Sequence, residues 1–144
     1  THDSGFYARL LEAVRSRSGA AWQTRPGLQP ALEVWSQVQS CPEPGLALLT
    51  MGKRDASFDI EMPIPVKWFR AARDASPREV PSPWKVSAMN DQHAYLRFAP
   101  DVAPVVGDLV AWGISHPCAT FDKWRVLFTV DDAYRVTGAI RTFF

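Results

Sequence analysis

The chain has 144 residues, 47% of them hydrophobic, which is material for one domain with a real core. Its 16 Lys+Arg and 15 Asp+Glu leave a formal net charge of +1, so no broad electrostatic footprint for nucleic acid or anionic lipid exists. No apolar run approaches about 18 residues, so no membrane-spanning helix is expected, and the N-terminus lacks the basic-apolar-small order of a signal peptide.

Residues 4–18 read as a helix. Phe6, Tyr7, Leu10, Leu11 and Val14 follow three-four spacing, Asp3 or Ser4 can cap the start and Gly19 can end it. The stripe is expected to pack in a core. The period then changes to two. From Ala31 to Ser40, Leu32, Val34 and Val38 alternate with Glu33, Gln37 and Gln39, a half-buried strand, and residues 41–45 form a turn. Leu46–Met51 reads as a buried strand, broken at Gly52-Lys53-Arg54-Asp55. An extended path resumes over Ser57–Glu61, and Pro63 and Pro65 argue against a central strand beyond it.

Residues 71–83 read as an exposed loop. Trp84, Val86 and Ala88, then Ala94, Leu96 and Phe98, alternate with polar residues about a turn at Asn90-Asp91-Gln92, making a hairpin. Residues 108–114, 124–130 and 134–141 supply three more strands. One helix followed by six to eight short strands favours an antiparallel barrel or sandwich. No internal repeat, Gly-x-Gly-x-x-Gly fingerprint or Walker loop is present.

Chemistry concentrates at His116-Pro117-Cys118, just after an apolar segment. Imidazole and thiolate are preferred zinc ligands. If the stretch stays extended, positions two apart face the same way, and two donors leave coordination positions open for substrate. The alternative is a loop histidine beside a buried free cysteine. His93 follows Asp91 and Gln92, an arrangement able to orient an imidazole for proton transfer, or a plain surface turn. Asp55 and Asp59 read as a carboxylate pair or, more simply, as solvated turn charges. Trp22, Trp35, Trp68, Trp84, Trp112 and Trp124 fit core packing or a domain interface better than a nucleotide-stacking surface, which wants interleaved basic residues. Cys41 and Cys118 could form one disulfide, but a small secreted domain usually carries more, so a reducing cytoplasm with two free thiols or one bound thiol is expected.

The stretch Gly113-Ile114-Ser115-His116-Pro117-Cys118-Ala119-Thr120-Phe121-Asp122-Lys123-Trp124 resembles the C-terminal signature of the D-serine dehydratase-like enzymes, which include the D-threonine aldolases. Leu49–Ser57 resembles their Asp-Ala-Gly-x-Lys-x-x-Ser strand and turn, Asn90–His93 their Ser-x-Glu-His-Gly turn, and Thr1–Arg9 the exit from their first domain. Ala94 departs from the glycine often found there, and Asp91-Gln92 from the acidic residues.

The resemblance implies a fold and a role. The whole of residues 1–144 would be a mainly β, antiparallel barrel-like C-terminal domain with one N-terminal helix. It would follow a (β/α)8 barrel whose pyridoxal-phosphate lysine lies upstream of Thr1. His116 and Cys118 would be zinc ligands, a cysteine at this position marking the dehydratases and an aspartate the aldolases. His93 would be an active-site neighbour, and Lys53, Arg54 and Asp55 would line a domain interface. The implied activity is conversion of D-serine to pyruvate and ammonia by a cytoplasmic homodimer, the fragment alone being inactive. D-threonine aldolase chemistry and a non-catalytic β domain for dimerisation or binding are the alternatives.

Overall fold

A computed structural model describes residues 4–17, 30–81 and 83–143. Its elements are α1 (Ser4–Arg17), β1 (Glu33–Glu43), β2 (Leu46–Leu49), β3 (Ile64–Phe69), β4 (Arg78–Glu79), β5 (Lys85–Met89), β6 (Ala94–Arg97), β7 (Leu109–Gly113), α2 (Cys118–Phe121), β8 (Val126–Val130) and β9 (Val136–Arg141). Strands β1 to β7 form one antiparallel sheet in the order β4-β3-β7-β1-β2-β6-β5, and β8-β9 form a separate hairpin. The mainly antiparallel, barrel-like expectation is met, as a curled half-barrel.

The curl originates in β1. Its first half, Glu33–Gln37, pairs with β7, and from Val38 onward it pairs with β2. Two register shifts follow, between Val38 and Ser40 and between Ser40 and Glu43. Such irregularities bend a strand and increase its twist. The strand therefore runs through Cys41 and Pro42, where the sequence suggests a turn; only Pro44 and Gly45 turn, with Gly45 at φ +78°. The curl brings opposite ends of the sheet together: Trp68 of β3 lies against Trp84, just before β5, with ring centroids 4.8 Å apart.

Period-two patterning fills the inside of the curl. Val34, Val38, Leu49, Met51, Leu96, Val110, Trp112 and Ile114 are all buried there. Each large apolar side chain contributes about 1.5–3 kcal/mol by leaving water. Two polar groups join them with partners. Ser36 accepts the Trp112 indole N–H at 2.7 Å. Asp108 accepts from Trp68 Nε1 at 2.8 Å and from the Val105 amide at 2.9 Å.

Four local expectations are corrected. Pro65 lies inside β3, between β7 and the two-residue β4. It is tolerated because β4 reaches only Lys67 and Trp68, and a register shift separates Pro65 from Lys67 on the β7 side. The same two-residue β4 interrupts the loop expected over 71–83. In β5 a shift between Val86 and Ala88 turns Ala88 outward and Met89 inward, breaking the simple alternation. Residues 57–61 join no sheet, and 59–61 bend where the sequence suggests an extended path. Helix α1 forms as expected; within its stripe Leu10 and Val14 are exposed and Leu11 is half-buried, and the side chains of Phe6 and Tyr7 lie outside what is described. Asp3, Gly19 and Trp22 lie outside the described residues. No described helix is long and apolar enough to cross a membrane.

Candidate functional site

Three loops remote in sequence meet at one end of the half-barrel. The first, residues 52–59, docks on the second, the β5–β6 turn. Lys53 N–H donates to the Asn90 carbonyl at 2.9 Å and Arg54 N–H to the Asp91 carbonyl at 3.0 Å. The approach demands glycine at position 52, because a Cβ there would meet the Asp91 carbonyl oxygen at 2.3 Å. Asp55 folds the first loop by accepting the Gly52 N–H on its carboxylate at 2.8 Å.

The third loop, residues 114–124, is pinned to the first. Trp124 Nε1 donates to the Asp55 carbonyl at 2.7 Å. Buried Ser57 accepts the His116 N–H on Oγ at 3.1 Å, and its own N–H donates to Thr120 Oγ1 at 3.0 Å. Thr120 Oγ1 returns a bond to the His116 carbonyl at 3.3 Å. Both backbone groups of His116 are thus held.

His116-Pro117-Cys118 does not stay extended. Strand β7 ends at Gly113, and Pro117 adopts helical angles (φ −62°, ψ −41°) as the N-cap of the one-turn helix α2, whose first residue is Cys118. Proline suits such a start, since it lacks the amide proton that would go unbonded there. The sequence argument that the two side chains share a strand face therefore fails. Cys118 is exposed and free, which also removes the alternative of a buried structural cysteine.

The His116 ring has a partner that spacing does not suggest. Nδ1 lies 2.7 Å from Asp59 Oδ2, across 57 positions of sequence. That hydrogen bond is the main reason the Asp59 carboxyl is held below its ordinary range, with the charge of Lys123 adding to it. Asp59 is thus not merely a solvated turn charge, and Asp55 is a structural hub. Only the fold brings Asp59 to His116, so no sequence signal at Asp59 itself would have found it.

His93 lies apart from this pair, on the wall of an open cleft of about 330 Å³ lined by Gln39, Thr50, Arg54, Asp55, Gln92 and His93. Its carbonyl accepts the Asn90 N–H at 2.8 Å and closes the turn. The cleft and His116 are joined through the 55–59 segment, which gives Asp55 to one and Ser57 and Asp59 to the other. Among the described residues no group of three or more His, Cys, Asp or Glu is arranged to hold a metal ion. A site built on His116 and Cys118 would be a two-donor one. The donor chemistry would suit zinc: with Nδ1 engaged by a carboxylate, Nε2 would be the nitrogen available to a metal, and the Cys118 thiol is not tied up in a disulfide.

Of the six tryptophans, Trp68, Trp84 and Trp112 are buried in the core. Trp35 packs edge-on against Tyr134.

In comparison with known proteins, residues 31–130 match the family model described as "Putative serine dehydratase domain". No curated protein matches the chain. Among solved structures, D-threonine aldolase from Filomicrobium marinum superposes with a TM-score of 0.63 at 21% identity, over 85% of this chain. The chain spans only 29% of that protein. The likeness shows a shared fold. With its half-barrel, its three docked loops and a family match across most of its length, the chain belongs to the D-serine dehydratase-like family.

Proposed function

We propose that residues 1–144 are the C-terminal β domain of a pyridoxal-phosphate- and zinc-dependent D-amino acid lyase that converts D-serine to pyruvate and ammonia. The observation that carries the reading is the frame around His116. Its backbone is held by Ser57 and Thr120, its Nδ1 by Asp59, and an exposed free Cys118 follows two residues later. In this reading His116 and Cys118 hold the zinc. The pyridoxal lysine belongs to a preceding (β/α)8 barrel.

When bound, pyridoxal phosphate supplies an electron sink at the α-carbon, and zinc supplies a Lewis acid for the departing hydroxyl. This chain's own part is to hold and orient. Arg54 offers a positive charge to a carboxylate at the cleft, and His93 contacts substrate or solvent there. Gly52 and Asp55 keep both residues in place. The reading carries a homodimer, supported by the apolar Val126, Phe128, Val136 and Ile140 left exposed on β8 and β9, and a cytoplasmic location, supported by two free cysteines.

Pyruvate release from D-serine by the whole protein, before and after chelation and with zinc added back, tests it. Loss on chelation and recovery with zinc are expected. A second reading, D-threonine aldolase, is favoured by the structural neighbour and opposed by cysteine at position 118. Glycine and acetaldehyde from D-threonine, without pyruvate from D-serine, would establish it.

A further inference from the structure

We infer that Asp59 is the positioning residue of His116: it accepts the Nδ1 proton and so leaves Nε2 as the lone-pair nitrogen. The metal role of His116 rests on the function proposed above; the tautomer does not. Neutral imidazole carries one proton, and the nitrogen that keeps it is the one facing an acceptor. Here the acceptor is a carboxylate oxygen at 2.7 Å.

The pair differs from a chance surface contact in how its ends are held. His116 is 34% and Asp59 50% exposed, so mutual attraction alone would be weak. The geometry is imposed by the backbone instead. Ser57, two residues before Asp59, is buried and bonds both His116 and Thr120. Thr120 in turn bonds the His116 carbonyl. This closed ring of three residues fixes where the Asp59 side chain and the imidazole start. A carboxylate behind a ligating histidine sets ring orientation and raises the basicity of the far nitrogen, and losing it typically weakens metal binding about 10–100-fold.

The test uses the whole protein, metal-free, with 15N in its histidine rings, at pH 8. His116→Gln identifies the resonance. Nitrogen shifts of the Nδ1–H tautomer are expected for His116, retained in Asp59→Asn, which keeps an acceptor, and averaged between tautomers in Asp59→Ala. Zinc affinity, read by competition with a chromophoric chelator, is expected to fall about 10–100-fold in Asp59→Ala, with an unchanged melting temperature. An Nε2–H or imidazolium signature in the wild type, or a tautomer indifferent to Asp59→Ala, overturns the inference. Equal zinc affinity in wild type and Asp59→Ala overturns the positioning role. Absence of zinc uptake by a wild type with the Nδ1–H signature overturns the metal reading and leaves Asp59 as the residue that sets the tautomer.

Discussion

Arg70 grips Asp108 with two parallel bonds of 2.8 Å, Nε to Oδ1 and Nη2 to Oδ2. Asp108 is buried, and the same carboxylate takes the Trp68 indole proton and the Val105 amide. One residue thus joins the start of β7 to the Trp68–Trp84 contact that closes the curl. Asp108→Ala strands the buried Trp68 indole N–H and the part-buried Val105 amide and takes from Arg70 the carboxylate it grips, leaving it the Ala103 carbonyl. A loss of about 3–5 kcal/mol in urea unfolding is expected. A loss below 1 kcal/mol would show that the network does not close the half-barrel.

The same carboxylate sets an acid limit. Burial pushes its pKa up, but the bonds from Arg70, Val105 and Trp68 outweigh that and hold it below the ordinary 3.8. A folded pKa below the unfolded one means the stabilisation is complete above the unfolded value and disappears as pH falls through the folded one. Stability curves of wild type and Asp108→Asn are therefore expected to converge as pH drops below about 4. A constant gap across that range would contradict this.

At the alkaline end Tyr134 plays the corresponding part. It occupies φ +59°, with its hydroxyl donating to Glu33 at 3.1 and 3.2 Å and its ring edge-on to Trp35 at 5.3 Å. Burial, then the charge of Glu33, pushes its pKa up from 10.0 to about 12. With the folded value raised, its contribution is complete below pH 10 and is lost as pH rises toward 12. Tyr134→Phe should abolish that alkaline decline, read as melting temperature against pH.

The Gly52 contact gives a local test. Gly52→Ala forces a methyl group into the Asp91 carbonyl, a backbone atom that cannot swing aside. A cost of about 1–3 kcal/mol and a steep fall in D-serine turnover are expected, since the cleft loses its Arg54–Asp55 wall. Unaltered turnover would show that the docking of the two loops is not needed for chemistry.

His116→Gln and Cys118→Ala are each expected to remove stoichiometric zinc, measured by elemental analysis, while leaving the melting temperature within about 2 °C, since both residues lie outside the core. Full zinc in both variants would end the metal assignment.

Much of this was legible in the sequence. Period-two stretches located β1, β5 and β6, because one face of each strand meets the core and the other is more open to water, and a continuous apolar run located β2, which is buried on both faces. The three family-like segments were visible as motifs, and they are the three loops that dock together. What spacing could not carry was pairing. Nothing local to Glu33–Glu43 says that the strand changes partner at Val38, and nothing near Pro65 says that β4 is too short to need its missing amide. The geometry of His116 and Cys118 was misread for a similar reason: Pro117 is compatible with both an extended and a helical path, and the bonds from Ser57 and Thr120 come from elsewhere in the chain. Asp59 acquires its role only through that fold.

The docking of residues 52–55 on the β5–β6 turn is made largely by main-chain groups: the Asn90 and Asp91 carbonyls, the Lys53 and Arg54 amides and the bare Cα of Gly52. The side chains of Lys53, Arg54, Asp91 and Gln92 are left without a share in that joint. Under the proposed function, exchange of the cleft-lining Arg54 and Gln92 would retune substrate preference while the main-chain joint beneath them stays as it is.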